Sequence, residues 1–143
     1  MWSHYASNHG GNCLQFETAR DVLTFTQIIK IEYSDDYPVV NWIKDFYDGV
    51  ERIIGTKYRT WSYERETRIL IWNAAHTYFS WRPDALQVII IGCRTKDNTL
   101  QKLQPLLAER ESAGLPMPML YRAVQHESTY RLVLRTEKNY HLA

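Results

Sequence analysis

Three charged side chains alternate along one short stretch of the sequence, namely Glu64, Glu66 and Arg68. A strand over this stretch would project all three from one face, because strand side chains alternate with a period of two. Neighbouring carboxylates raise each other's pKa, and an adjacent arginine holds one of them ionised. We therefore expect Glu66 to be the ionised, oriented carboxylate of a binding or catalytic site. The alternative is a solvated strand face with a surface ion pair, which contributes only about 0–1 kcal/mol.

A second candidate lies in the first eleven positions, where His4, Tyr5 and His9 precede two glycines. An imidazole can act as a general base or bind an anion. The two histidines are five positions apart, which is a poor metal-ligand spacing because residues four apart share a helix face. We therefore expect no metal, and we expect no cofactor because the sequence has no phosphate-binding Gly-rich loop or similar motif. The alternative is that His9 only interacts favourably with the C-terminus of a helix.

The composition is that of an ordinary globular protein. The chain has 143 residues and a formal net charge of +1, so neither nucleic acid nor an anionic membrane is indicated as a partner. No apolar run reaches about twenty residues, and no signal peptide is visible, so we expect a cytoplasmic protein without a membrane span. Two distant cysteines favour free thiols, although a disulfide stays open. We expect a single domain over residues 1–143.

Aromatic residues make up 13% of the chain, with ten Tyr and five Trp. This excess can form a stacking or binding surface, or it can fill an aromatic core. Burial in a core is the more ordinary explanation, because aromatic side chains dominate core burial in proteins generally. Both alternatives are open at the level of sequence.

The first half of the chain alternates between strand and helix patterns. A short helix is expected over 3–11, and strands are expected over 12–18 and 22–34. After a turn at 35–38, helical spacing over 39–58 predicts an amphipathic helix. The apolar face of that helix would consist of Val39, Ile43, Phe46, Val50 and Ile53 or Ile54.

The second half indicates a sheet with a helical crossover. A strand with one charged side is expected over 62–73, and an almost continuous apolar run over 85–93 predicts a central strand. A helix follows over 95–114, and two further strands over 119–125 and 129–137. The chain is thus expected to be α+β, with a mixed or mostly antiparallel sheet, two main helices and a strand-helix-strand unit in its C-terminal half.

Both candidate segments resemble the signatures of the bacterial domain-of-unknown-function family 2971. The first signature, Trp-x-His-Tyr-Ala-x-x-His-x-Gly, is similar to residues 2–11. The second combines a Lys, a Trp and the motif Tyr-Glu-x-Glu-x-Arg, and its matches are Lys57, Trp61, Tyr63, Glu64, Glu66 and Arg68. A later apolar strand ending in Gly is similar to 88–92. Longer members carry a further N-terminal portion, so we expect a short form that lacks it.

The resemblance implies that the two signatures form one shared functional site. In that site Glu66 and Glu64 would be the catalytic residues. The binding residues would be His4, Tyr5, His9, Lys57, Trp61 and Arg68.

Two functions of different classes are compatible with these observations. The first is a small intracellular binding or inhibitor protein of phage or mobile-element origin, which acts on a host or bacterial protein complex in defence or counter-defence. The second is an enzyme acting on a nucleotide or NAD-like ligand, similar to an ADP-ribosyltransferase, through the Glu-x-Glu-x-Arg strand. A concave pocket containing both signatures would favour the enzyme. A flat aromatic patch would favour the binding protein.

Overall fold

The computed structural model describes residues 2–26 and 28–137, which divide into two compact units. The first unit combines Met1–Asp21 with Trp81–Ala143, and the second is Val22–Ser80. Helices and strands occur in both segments of the chain, so the expected α+β class is confirmed. The expectation of a single domain stays a prediction, and each unit is described by itself.

The described elements follow one another in a mixed order. The α-helices are α1 (Trp2–Tyr5), α2 (Phe46–Gly55) and α3 (Asp97–Ser112). The strands are β1 (Asn12–Phe16), β2 (Ile28–Lys30), β3 (Glu32–Ser34), β4 (Thr56–Tyr58), β5 (Thr67–Ile69), β6 (Leu86–Ile91), β7 (Met119–Gln125) and β8 (Leu132–Thr136). Short 3₁₀-helices span Thr18–Arg20, Arg59–Glu64 and Pro83–Ala85.

The first unit contains a four-stranded sheet in the order β1-β6-β7-β8. Strand β6 lies in the interior of this sheet, as its apolar run predicts, and pairs antiparallel with β1 and parallel with β7. Helix α3 connects the two parallel strands, so the predicted strand-helix-strand unit is confirmed. Strand β8 lies at the edge of the sheet and pairs antiparallel with β7.

The core of the first unit is aliphatic. Leu86 and Ile89 of β6 pack with Leu107 of α3, and Phe16 and two leucines lie partly buried around them. Among the described side chains, the buried hydrophobic ones are Ile31, Ala85, Leu86, Val88, Ile89, Ile91, Leu107 and Ala123. Since none of these is aromatic, the interpretation of the aromatic excess as core packing is wrong.

The first signature folds as a turn rather than as the expected helix over 3–11. Helix α1 ends at Tyr5, and Ser7, Asn8 and His9 have φ values of 50°, 55° and 66°. Three consecutive left-handed residues cannot continue a right-handed helix. The turn is closed by the Gly11 N–H, which donates to the Ala6 carbonyl at 2.9 Å.

This turn is fastened by its backbone to the end of β6. The Arg94 N–H donates to the carbonyl of His9 at 3.0 Å, and the Gly92 N–H donates to the carbonyl of Gly11 at 3.1 Å. A Cβ at position 92 would lie 2.1 Å from the His9 oxygen. A glycine at this position is therefore required for space.

The second unit consists of α2 and two small sheets, one pairing β3 parallel with β4 and one pairing β2 antiparallel with β5. The helix expected over 39–58 begins only at Phe46, because the Asn41 side chain accepts the N–H groups of Ile43 and Lys44 and holds a turn there. The predicted buried face is also wrong at its start, since Val39 is 85% exposed and Ile43 is 96% exposed.

Candidate functional site

The second signature is a turn between two short elements, and the strand predicted over 62–73 is reduced to β5. Its first part is a 3₁₀-helix that ends at Glu64. Arg65 then adopts a left-handed conformation with φ of 46°, and its N–H donates to the Ser62 carbonyl at 3.2 Å. The expectation that Glu64, Glu66 and Arg68 share one strand face is therefore wrong, because a turn separates Glu64 from the other two.

The same turn nevertheless brings the charged residues together around Lys57 of β4. The ammonium of Lys57 donates to the carboxylate of Glu64 and, at 2.9 Å, to that of Glu66. Arg68 Nε donates to the other oxygen of Glu66 at 2.6 Å. The four residues form a chain of alternating charge, which we call the charged network.

The charged network is largely removed from water. The Glu64 side chain is fully buried, and those of Lys57, Glu66 and Arg68 are 15%, 18% and 32% exposed. Desolvating charges is expensive and is offset only when each charge has a well-placed partner. Two cations and two anions in alternation meet that requirement, so the network is self-compensating.

Further hydrogen bonds connect the network to the surrounding elements. The N–H of Glu66 donates to the hydroxyl of Tyr33 in β3 at 2.8 Å. Arg68 donates to the carbonyl of Ile54 near the end of α2, where a cation is also favoured by the helix dipole. The network thus connects α2, β3, β4 and β5 through ion pairs and hydrogen bonds. We call this arrangement an internal clamp.

The neighbouring cations strongly lower the pKa of the Glu66 carboxyl group. Hydrogen bonds from Arg68 and then from Lys57 lower the pKa of Glu66 to about 2. The expectation that Arg68 holds this carboxylate ionised is confirmed. Such a carboxylate is a weak base at neutral pH, because an efficient general base has a pKa near the working pH.

We predict that acid destabilises the protein partly through Glu66. Its pKa in the folded protein lies below its ordinary value of 4.5, so it stabilises the fold above that value and ceases to do so as the pH falls towards about 2. The loss is at most on the order of 3 kcal/mol, from the pKa difference alone. Urea unfolding at neutral pH and near the lower end of this window measures it. Glu66→Gln should lose less stability over this window than the wild type, and equal losses would contradict the assignment.

Two aromatic residues of the second signature lie beside the network. Lys57 Nζ is 5.3 Å from the centroid of the Trp61 ring, within the range of a cation–π interaction. The Trp61 and Tyr63 rings are 6.0 Å apart, and both side chains remain partly exposed. The structure therefore brings together Lys57, Trp61 and the three charged residues of the motif.

The three site residues predicted from the first signature belong to the first unit. His4 and Tyr5 are exposed there, and His9 is half-buried in the left-handed turn. Each takes part in an interaction within the structure. A site shared between the two signatures stays a prediction, as do the catalytic roles of Glu64 and Glu66 and the ligand-binding roles of the other residues.

A concave pocket of about 600 Å³ lies in the second unit. We call it the Tyr37 pocket, and its lining comprises Ser34, Asp35, Asp36, Tyr37, Pro38, Ile53, Thr56, Lys57 and Tyr58. Its volume lies within the range of about 300–1,000 Å³ that is typical of ligand sites. Lys57 is the residue that it shares with the second signature.

Four aromatic rings form a continuous surface on the same unit. Trp42 and Phe46 have ring centroids 6.1 Å apart, Phe46 and Tyr47 are 5.4 Å apart, and Tyr47 and Trp72 are 5.3 Å apart. Their exposed fractions run from 37% for Trp72 to 67% for Tyr47. We call this surface the aromatic face.

Sequence reasoning missed both of these features. The segment 35–38 was interpreted only as a turn, although two aspartates next to a tyrosine are also the composition of a polar-rimmed pocket. Phe46 was assigned to a buried helix face. The signal that could have found the aromatic face is the density of Trp, Phe and Tyr over 42–47.

Other kinds of site find no support in the part of the chain that the structure describes. No group of three or more His, Cys, Asp or Glu side chains there could hold a metal ion. No helix over residues 2–26 and 28–137 is long and apolar enough to cross a membrane. Cys13 and Cys93 are both free thiols.

The fold and the charged network define a small α+β protein whose second unit is held by an internal clamp. Residues 1–69 match the model of a family described as "Protein of unknown function (DUF2971)". Both signatures lie within these residues, so the resemblance to that family is confirmed over this part of the chain. No curated protein and no solved structure matches the chain.

Proposed function

We propose that this protein is a binding protein that engages a partner protein through the aromatic face. The observation that supports this proposal is the continuous run of Trp42, Phe46, Tyr47 and Trp72, each more than a third exposed. Soluble proteins rarely expose large contiguous apolar patches unless the patch has a binding role. Trp and Tyr are also the residue types that most often dominate the energy of protein interfaces.

The residues that flank the aromatic face in the sequence indicate the chemistry of the partner. Residues 35–53 contain five carboxylates, from Asp35, Asp36, Asp45, Asp48 and Glu51, but only two basic side chains. All five acidic residues are exposed. A partner with an apolar centre and a basic rim would be complementary to this surface, and complementary charge favours rapid and specific association.

The biological setting is part of the same proposal. The family resemblance suggests bacterial defence or counter-defence, and an inhibitor of a host or bacterial protein complex would need a binding surface of this kind. Inhibition would then result from occupying a surface of the target, which requires no catalytic residue.

An enzyme acting on a nucleotide or NAD-like ligand is supported less well by the geometry. Glu66, with a pKa of about 2, is a weak general base, and Glu64 is buried against Lys57. The Tyr37 pocket places Asp35 and Asp36 where phosphate groups would meet like charge. A binding role uses the exposed aromatic side chains. It requires neither proton transfer by Glu64 or Glu66 nor a phosphate site in the pocket.

We predict that Phe46→Ala reduces partner binding at least about tenfold, as expected for a residue central to an interface. Phe46 is 53% exposed, so its removal should change the melting temperature little. The measurement is affinity capture from a bacterial lysate with tagged wild type and variants, followed by quantitative mass spectrometry.

The matched control is Tyr130→Ala, which removes a fully exposed aromatic residue from the first unit. Proteins retained by the wild type and by this control, but lost by Phe46→Ala, are the expected partners. If every captured protein is retained equally by all three baits, the aromatic face is not the binding surface. A thermal shift with NAD or a nucleotide, but no such partner, would favour the enzyme.

A further inference from the structure

The Tyr37 pocket has apolar walls, and its charged lining residues are two aspartates and one lysine. Tyr37, Pro38, Ile53 and Tyr58 supply rings and an aliphatic side chain to a space of about 600 Å³. Tyr37 is 95% exposed, so one of these rings is accessible at the surface. A pocket of this composition suits an extended apolar stem that carries a polar head.

The charges in the pocket determine which sign of charge is favoured on the polar head of the ligand. The positive charge of Lys57 is offset by Glu64 and Glu66, both of which it contacts. Asp35 pairs with Arg59 at 2.7 Å. Across the described residues Asp36 makes no ion pair, and its backbone N–H donates to the Ser34 hydroxyl at 3.1 Å. The carboxylate of Asp36 therefore leaves the pocket with an excess of negative charge.

We propose that the Tyr37 pocket receives an arginine side chain of the partner protein. The aliphatic stem would lie against Pro38 and Ile53, and the guanidinium would reach the carboxylate of Asp36. A planar guanidinium also stacks on aromatic rings, which Tyr37 and Tyr58 provide. An arginine side chain is complementary both to the apolar walls of the pocket and to the carboxylate of Asp36.

This inference rests on the proposed binding function, which it extends from an apolar contact to a specific side chain. The pocket and the aromatic face adjoin in sequence, because 34–38 lines the one and 42–47 contributes to the other. The carboxylates of residues 35–53 supply the charge complementarity that both proposals use.

The test uses a small probe, N-acetyl-arginine amide, titrated into the full chain and followed by two-dimensional NMR of the backbone amides. The matched probe is N-acetyl-citrulline amide, which has nearly the same shape without the charge. The arginine probe should shift the amides of 34–38 and 56–58 with a dissociation constant of about 1–10 mM, typical of a single side chain. Asp36→Asn should raise that constant about two- to fivefold, the effect of one exposed ion pair.

The outcomes separate this inference from the proposed function. Equal binding of citrulline and arginine, unchanged binding by Asp36→Asn, or stronger shifts with adenosine monophosphate at the same amides would each overturn the arginine pocket. Tyr130→Ala, at an exposed position of the first unit, should leave binding of the arginine probe unchanged. If the probe fails while Phe46→Ala still abolishes partner capture, the pocket inference is wrong and the binding function stands. If the probe binds as expected while capture is insensitive to Phe46→Ala, the proposed function through the aromatic face is wrong, and with it the pocket's assignment to that partner.

Discussion

Lys57→Met should destabilise the second unit by about 3–5 kcal/mol, the range measured when one partner of a buried ion pair is removed. The Glu64 side chain is fully buried and receives a hydrogen bond from Lys57. Without the ammonium, Glu64 must stay charged in a poor environment or take up a proton, and both are unfavourable. Glu66 retains Arg68 and should suffer less. Urea unfolding followed by tryptophan fluorescence measures the change.

The control for this prediction is Lys30→Met, which makes the same replacement at an exposed position of the same unit. Its effect should lie within about 0.5 kcal/mol of zero. The double variant Lys57→Met with Glu64→Gln should recover part of the loss, because it removes the buried charge that lost its partner. If Lys57→Met is as stable as Lys30→Met, the charged network does not hold the unit together.

Gly92→Ala should lower the stability of the first unit by an amount similar to the effect of Lys57→Met on the second unit. The new Cβ would lie 2.1 Å from the His9 carbonyl oxygen and 2.6 Å from that of Gly11. Both oxygens belong to backbone that is hydrogen-bonded to residues 92–95, so neither can withdraw without breaking those bonds. We expect a loss on the order of 3 kcal/mol or more, at the upper end for overpacking. Thermal unfolding by circular dichroism measures it.

Gly114→Ala separates crowding from backbone strain. Position 114 has a φ of 64° but no atom within 4 Å of an added Cβ. This variant should lose only about 1 kcal/mol, the usual penalty for a left-handed alanine. Equal losses at the two positions would show that the backbone contact at Gly92 is not the cause.

The sequence predicted the four-stranded sheet and α3 of the first unit well, but not the left-handed turn of the first signature. A short apolar run rich in isoleucine and valine favours an interior strand, and this is where β6 lies. The crossover through α3 follows from helical spacing between two such strands. Here hydrophobic pattern alone determines the structure, because burial is the dominant energy.

The second unit was predicted less well because side-chain-to-backbone hydrogen bonds and turns override its pattern. Asn41 holds a turn where apolar spacing indicated a helix. Arg65 in a left-handed conformation interrupts the expected strand of Glu64, Glu66 and Arg68. Glu64, Glu66 and Arg68 were nonetheless identified from their charges and spacing, and Lys57 from the family resemblance. Tyr33 was missed because it is distant in sequence from the motif.

Isothermal titration of the captured partner into wild type, Phe46→Ala and Tyr130→Ala tests the binding function most directly. If the aromatic face is the binding surface, Phe46→Ala should bind at least about tenfold more weakly, which is a loss of about 1.4 kcal/mol in binding free energy. Tyr130→Ala should bind as the wild type does, and all three proteins should melt at similar temperatures. Equal affinities of wild type and Phe46→Ala would contradict the account.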